Sequence, residues 1–478
     1  MLGLFGVLNM GARSMGVQRA GVEVAGQNLA NVSNPAYARQ RVAITSSITV
    51  QSEAGPQGTG SEVANIVSMR NAILDNQIQS EASAHGMLQA KQNALQYAQA
   101  ALGTQIDRMA SGAEGASAAQ GVGGGHSLAD SLGELFSAFQ SLSSNPTSMA
   151  ERQTLMMKAE SLASQFRQLD SRIGELNNQL NRTIDSDVAM VNQTLTNIAS
   201  LNDKITRMEA ISGGPANDLR DMRQAQIEEL AKYVKVDLSN GAGGAINVAI
   251  GGVDMIKNNQ VVDTIETYTF GSNTYIQSAT NKVHLTLNAG ILTSGSIQGT
   301  IQARDVGIAD VRTSMNTIAN ILIAQVNAIH SAGYSLNGST GAQFFTGSDA
   351  ATIGVNSALV TDPSLIQASG VSGATGDNQV ALALAQVSQT KFIYGQTLTQ
   401  AYSQSVATFG QELSTVNNDL ANQDTVDNML HAQRDSIGGV SLDEEMTDLT
   451  RFQKAFQASA RLITTVDEML DTLVNMKR

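Results

Sequence analysis

The longest run of carboxylates in the chain, Asp443-Glu444-Glu445, is the first place where acid–base chemistry could reside. It stands just behind Ser441 and ahead of an apolar-periodic stretch, where negative charge offsets the positive end of a helix dipole. That reading outweighs a general acid–base pair. The five histidines, His85, His126, His284, His330 and His431, include no i,i+4 pair and no HExxH spacing, so they read as surface or packing residues and not as metal ligands. A chain with no cysteine has no thiol nucleophile, thiolate metal site or disulfide framework. GVGGGH at 121–126 breaks the dinucleotide pattern at His126 and is followed by no GK[ST], which leaves a flexible loop. SLNGSTG at 335–341 has the Asn and Gly of a calcium loop but lacks its carboxylates, and reads as a turn. No catalytic, cofactor-binding or metal site is expected. A serine or aspartate hydrolase within 234–300 stays open as a rival, and its sign would be a deep pocket with a hydrogen-bonded nucleophile and base.

What remains is surface and shape. Of 478 residues 42% are apolar, enough for real cores, yet only 15% are charged and five are proline. Asn, Gln, Ser, Thr and Ala cover faces that Lys and Glu would usually cover, so other protein can approach without strong like-charge repulsion. The net charge of −13, with no basic run, argues against a nucleic-acid partner. The opening MLGLFGVLNMGARS has its first basic residue only at Arg13, unlike a secretory signal. IANILIAQVNAI at 318–329 is interrupted by Asn320, Gln325 and Asn327 and is too short to span a bilayer. Neither membrane insertion nor a cleaved signal is expected.

The prolines mark the organisation. Pro35 follows a first helix, Pro56 lies in the loop AGPQGTG, Pro146 separates two helical patterns, Pro215 ends the longest, and Pro363 lies in an irregular stretch at 331–378. Helices are expected at 65–110 and 128–143. From Leu162 to Met208 apolar residues recur in steps of three and four without a breaker, which predicts roughly 60 helical residues, about 90 Å. A helix at 217–233 follows, then Val-, Ile-, Thr- and Gly-rich alternation at 234–300 that reads as a small β-rich insertion. Helix returns at 304–330 and from about 380 to 430. The expected fold is mainly α: an elongated helical rod with that insertion, and a coiled coil formed by the N- and C-terminal helices. The domains are 1–60 with 405–478, 61–233 with 301–404, and 234–300.

The two ends carry the strongest pattern. Leu8, Met15, Val22 and Leu29 form a heptad in the first helix, with Ala12, Ala25 and Val32 between. In the tail, Ser441 and Glu444 form a capping box, and Leu449, Phe452, Phe456, Ser459, Ile463, Val466, Leu470 and Leu473 follow in steps of three and four. Lys477 and Arg478 complement the negative end of that helix. The tail helix reaches about 55 Å and the first only about 37 Å. Pairing them leaves apolar surface uncovered, on the order of 10 to 20 kcal/mol of burial as an upper figure. The seam residues Leu8, Met15, Val22, Leu29, Leu449, Phe452, Phe456, Ile463, Val466, Leu470 and Leu473 are therefore read as subunit-packing, with the ends loose in a free monomer.

NLANVSNPAYARQRV at 28–42 and SLDEEMTDLTRFQKAFQASARLITTVDEMLDTLVNM from Ser441 resemble the terminal motifs of bacterial flagellar rod, hook and hook-associated proteins; AIHSAGYSLNGSTGAQFF at 328–345 is similar to the hook-associated members. The motif residues are Asn28, Asn31, Asn34, Pro35, Tyr37, Arg39, Leu442, Glu444 and Glu445. The resemblance implies a non-enzymatic structural protein, exported unfolded through the flagellar type III channel without signal cleavage. It implies termini that fold on assembly into a ring or short helical layer outside the cell. The implied partners are hook protein below, the next hook-associated junction protein above, and an export chaperone on the C-terminal helix. Asn34-Pro35 would stop the first helix, and Arg39 and Arg41 would reach a neighbouring subunit. Another axial protein, such as a hook or rod subunit, and a cytoplasmic coiled-coil scaffold remain alternatives.

Overall fold

The computed structural model describes residues 3–52, 55–102, 127–286 and 291–476. The loop expected at 111–126, including His126, and the basic pair Lys477-Arg478 lie outside them. Helix accounts for 65% of the chain, giving the mainly α class with small sheets.

The longest helix starts after Pro146, where Ser148 accepts from the Glu151 amide, and runs Met149–Ser212 (α4) for 64 residues. Its buried stripe changes partners along its length. In the first half Leu155, Leu162, Phe166 and Ile173 share a core with Ala72–Leu102 (α2), Leu128–Ser144 (α3), Ala309–His330 (α7), Gln379–Gln386 (α9) and Leu398–Gly438 (α10). In the second half Ile184, Val191, Leu195 and Ile198 share a second core with Asn217–Tyr233 (α5) and the β-rich segment.

That segment comprises an antiparallel four-stranded meander, Val236–Asn240 (β5), Ile246–Ile250 (β6), Val253–Lys257 (β7) and Gln260–Val261 (β8), beside the hairpin Ile265–Phe270 (β9) and Asn273–Ser278 (β10). Val248, Ile250, Met255 and Ile276 are buried in the same core as Ile184, Val191, Leu195 and Ile198 of α4. A short helix Ser296–Gln302 (α6) continues through a π turn at Ala303–Ile308 into α7. The fully buried Arg304 in that turn reaches Asn181 on α4 and Thr274 O on β10, both at 2.7 Å, and fastens the hairpin to the rod. The irregular stretch 331–378 contains Ser357–Thr361 (α8) and the strand pair Phe345–Thr346 (β11) and Gly354–Val355 (β12). Buried Arg152 donates to the carbonyls of Pro146, Pro363 and Ile366.

Two differences from expectation have local causes. The helix expected from residue 65 starts at Ala72, because Ser61–Ser68 (β4) pairs antiparallel with Gln40–Ser46 (β1). Beyond it Thr49–Ser52 (β2) pairs antiparallel with Gly55–Gly58 (β3), so the GPQG of the expected loop AGPQGTG is a strand; Ala54 lies outside the described residues. The expected boundary at residue 405 falls inside α10, which packs along α2 as far as Leu430 against Leu74 and Ile78.

The chain ends form Leu4–Ala30 (α1) and Leu442–Asn475 (α11), packed side by side. Ser441 stands at the N-cap of α11, but its side chain makes no capping bond. Glu444, its expected capping-box partner, is drawn instead to Arg39.

Candidate functional site

The two ends meet the rod at a polar clasp built from the 28–40 segment. Asn28, on the last turn of α1, is 1% exposed and uses its whole amide: Nδ2 donates to Gln40 O and to Glu445 Oε2, both at 2.9 Å, while Oδ1 accepts from Gln40 N at 3.0 Å and Tyr37 Oη at 2.8 Å. A buried amide with four partners is fully satisfied and costs little. Asn31 donates back to Gln27 O, and Asn34 accepts from the Ala36 amide, which bends the chain at Pro35.

Arg39 holds the second half. Its backbone accepts from the Met69 amide and donates to Gly438 O, both at 2.8 Å, linking the end of β4 to the end of α10. Its guanidinium, 9% exposed, faces three carboxylates of α11: Glu445 at 2.6 Å, Glu444, and Asp448 at 3.7 Å. The Glu445 contact is an ion pair without aligned hydrogen-bond geometry, since neither Arg39 Nε nor Glu445 Oε1 has a hydrogen-bond partner. Burial pulls the Arg39 proton off, the bond to Glu444 and the charge of Glu445 hold it on, and the balance lies above the ordinary arginine value.

α5 closes the clasp from the rod side, a role that sequence reading missed. Asp221 accepts from the Ala38 amide at 2.9 Å and from Arg70 Nε at 2.7 Å; Asp218 accepts from Gln40 at 2.6 Å and from Gln27 at 2.8 Å; Asn217 donates to Ile66 O at 2.8 Å. Burial, helped by Asp218, Asp221 and Glu445, pushes the Tyr37 phenol well above its ordinary value, so it stays protonated as the donor Asn28 needs. Nothing in local spacing joins 217–221 to 37–40; the only signal was acid at the start of a helix.

The seam above the clasp is uneven. On α11, Val466 is buried, Leu449, Phe452, Phe456, Ile463 and Leu470 are half-buried, and Leu473 is 55% exposed; Leu442 at the start is 52% exposed. On α1, Leu8, Met15, Val22 and Leu29 are half-buried, while the face turned to α11 carries Gly11, Val17, Gly21, Val24, Ala25 and Asn28. The contacting heptad is one residue out of phase with the expected one, because Phe452 and Ile463 need small residues opposite them. Arg41 is exposed on β1.

Among the described residues of the β-rich segment, the hydrogen-bonded Ser278–Asp263 pair is structural. Ser278 donates to Asp263 at 2.5 Å, but Ser278 is 0% exposed and Asp263 also receives Thr264 N, Thr280 N and Asn281, so the pair closes a turn of the β-rich segment. His85 pairs with Asp424 at 2.9 Å, His431 with Asp427 at 3.5 Å, and the His284 ring lies tilted against that of Tyr268. Among the described residues no group of three or more His, Asp or Glu could hold a metal. No described helix is long and apolar enough to cross a membrane.

Residues 119–345 match the family model of the flagellar hook-associated protein FlgK helical domain, and residues 436–476 match that of the flagellar basal body rod FlgEFG protein C-terminal region. The chain is 24% identical to flagellar hook-associated protein 1 of Salmonella typhimurium over 94% of its own length and 96% of the relative's. It is 26% identical to that of Bacillus subtilis, over 94% and 93%. The fold superposes with a TM-score of 0.63 and 15% identity on the flagellar hook junction protein FlgK from Burkholderia pseudomallei, covering 76% of this chain and 100% of that one.

A helical rod closed by paired terminal helices, the last of which carries the rod-protein C-terminal pattern, is a structural component of the bacterial flagellum. The chain is similar to flagellar hook-associated protein 1 along nearly its whole length, and together these matches support assigning it to that family.

Proposed function

We propose that this chain forms the ring or short helical layer that joins hook to filament, polymerising through α1 and α11 after export through the flagellar type III channel. Hook protein lies below it and the next hook-associated junction protein above. An export chaperone holds α11 in the cytoplasm, and the assembled layer is extracellular. In this reading residues 1–60 with the C-terminal helix form the inner domain, the rod carries the outer contacts, the β-rich segment 234–300 stands on the rod, and the protein works mechanically and not as an enzyme. The observation that carries it is the uncovered apolar surface of α11. Although α11 already packs on α1, Met446, Met469, Leu473, Val474 and Met476 are each more than half exposed. A patch of that kind, on a helix that among the described residues packs on α1 and meets the 28–40 segment only at its first two turns, calls for protein contact.

Immunolabelling of isolated hook–basal bodies tests it. Label confined to the distal end of the hook is expected; label along the whole hook would instead fit a hook subunit, and retention in cells unable to grow filaments would fit a cytoplasmic scaffold.

A further inference from the structure

α1 and α11 run antiparallel in one register that specific pairs mark. Asn28, Gly21 and Ser14 step by seven along α1 as Glu445, Phe452 and Ser459 step by seven along α11: Asn28 bonds Glu445, the Phe452 ring lies on Gly21, and the Ser14 and Ser459 hydroxyls are 3.0 Å apart. One more step sets Val7 opposite Val466, the buried apolar residue of α11. Between these rungs Ile463 lies on Gly11.

Both glycine contacts are backbone notches. A Cβ added at Gly21 would lie 2.5 to 2.7 Å from three atoms of the Phe452 ring, and one at Gly11 would lie 2.8 Å from Ile463 Cγ1. Neither glycine has a left-handed φ, so close approach, and not backbone conformation, is what requires them. The apolar repeat of α11 does not by itself forbid a slide of one heptad. After such a slide Phe452 would face Ser14 or Asn28, where a side chain fills the notch, and Glu445 would leave both Asn28 and Arg39.

We propose that Gly21 and Gly11 are the specificity-determining positions of end pairing: they admit Phe452 and Ile463 in a single register, and the polar rungs Ser14–Ser459 and Asn28–Glu445 hold it. A polar pair inside an otherwise apolar seam fixes register at some cost in stability. The register in turn sets how far Leu473, Val474 and Met476 project past the first described turn of α1. That the projection serves contact with a second copy rests on the proposed function; the register does not.

The absence of native cysteine allows a direct test on the full chain. Rates of disulfide formation are compared for S14C/S459C, the paired register, and for V7C/S459C and S14C/V466C, which a slide of one heptad in either direction would bring together. The paired-register variant is expected to oxidise at least about tenfold faster than either slipped variant. Adding Gly21→Ala should cut its rate by about tenfold, the scale of overpacking a filled seam. Adding Phe452→Ala to that chain should restore the rate to within about twofold. Equal rates for paired and slipped variants, an unchanged rate with Gly21→Ala, or no rescue by Phe452→Ala would each overturn the proposal. Normal oxidation of the paired variant in a chain that fails to join hook to filament would count against the assembly reading and leave the register standing.

Discussion

Arg39 and Glu445 face each other at 2.6 Å with side chains only 9% and 3% exposed, and their contact ties a loop after the first helix to the first turn of the last. Removing one partner of a buried ion pair leaves the other charge uncompensated, at about 3 to 5 kcal/mol. Arg39→Ala is therefore expected to release α11 while leaving the rod folded. Hydrogen exchange should speed up across 442–456 with no change in the melting of residues 127–286. Unaltered protection at 442–456 would show that the clasp does not hold the ends.

Asn28 predicts a graded response. Asn28→Ala strands the buried Gln40 amide and carbonyl and the Tyr37 hydroxyl, each worth about 1 to 3 kcal/mol when left unpaired. Asn28→Asp keeps the acceptor for Gln40 N and Tyr37 but sets a second carboxylate against Glu445, so it should destabilise the clasp more at neutral pH than at pH 4. Thermal melts of the two variants at both pH values check this.

His330 gives a pH dependence remote from the clasp. It is 0% exposed, with Nδ1–H donating to Ala342 O at 2.8 Å and Nε2 accepting from Gln367 N at 2.9 Å, an arrangement open only to the neutral ring. Burial pushes its pKa from 6.5 down to about 4, with Arg152 adding to the effect against the bond to Ala342. Between those values the unfolded chain binds the proton and the folded chain does not, so stability falls as pH drops from about 6.5 to 4. It is fully present above that window, and the loss at the bottom is about 3 kcal/mol. His330→Gln should flatten that slope in denaturant titrations across the same range.

How much of this could be read from the sequence depended on the size of the side chains involved. The α11 seam was legible because Phe452, Phe456, Ile463 and Val466 are large and evenly stepped, and α4 because no proline or glycine pair interrupts it before Gly213. The partner face of α1 was placed one residue off, since hydropathy favours Leu8 and Met15 over the glycines and serine that make the contact. The hairpin of β1 to β4 went unread because neither of its faces is buried throughout: Ile44 and Ile48 are 50% and 69% exposed. The clasp residues Asn28, Tyr37, Arg39 and Glu445 came only from resemblance, as pairs some 400 residues apart leave no trace in local spacing. Asp218 and Asp221 left only the acid expected at the start of a helix.

The exposed end of α11 should matter for assembly and not for folding. Replacing Leu473, Val474 and Met476 together by serine removes apolar surface already in water, so the monomer's melting should change by no more than about 0.5 kcal/mol. Joining of hook to filament, scored by swimming and by electron microscopy, should be lost. Normal motility would show that this surface has no partner.

Hydrogen exchange across residues 8–32 and 441–476, compared between dilute monomer and isolated hook–filament junctions, bears most directly on the claim that the paired ends are completed only by neighbouring copies. Exchange much faster than that of the rod in the monomer, and slowed by orders of magnitude in the junctions, is the predicted result. Protection in strictly monomeric protein as strong as in the assembled junction would contradict it.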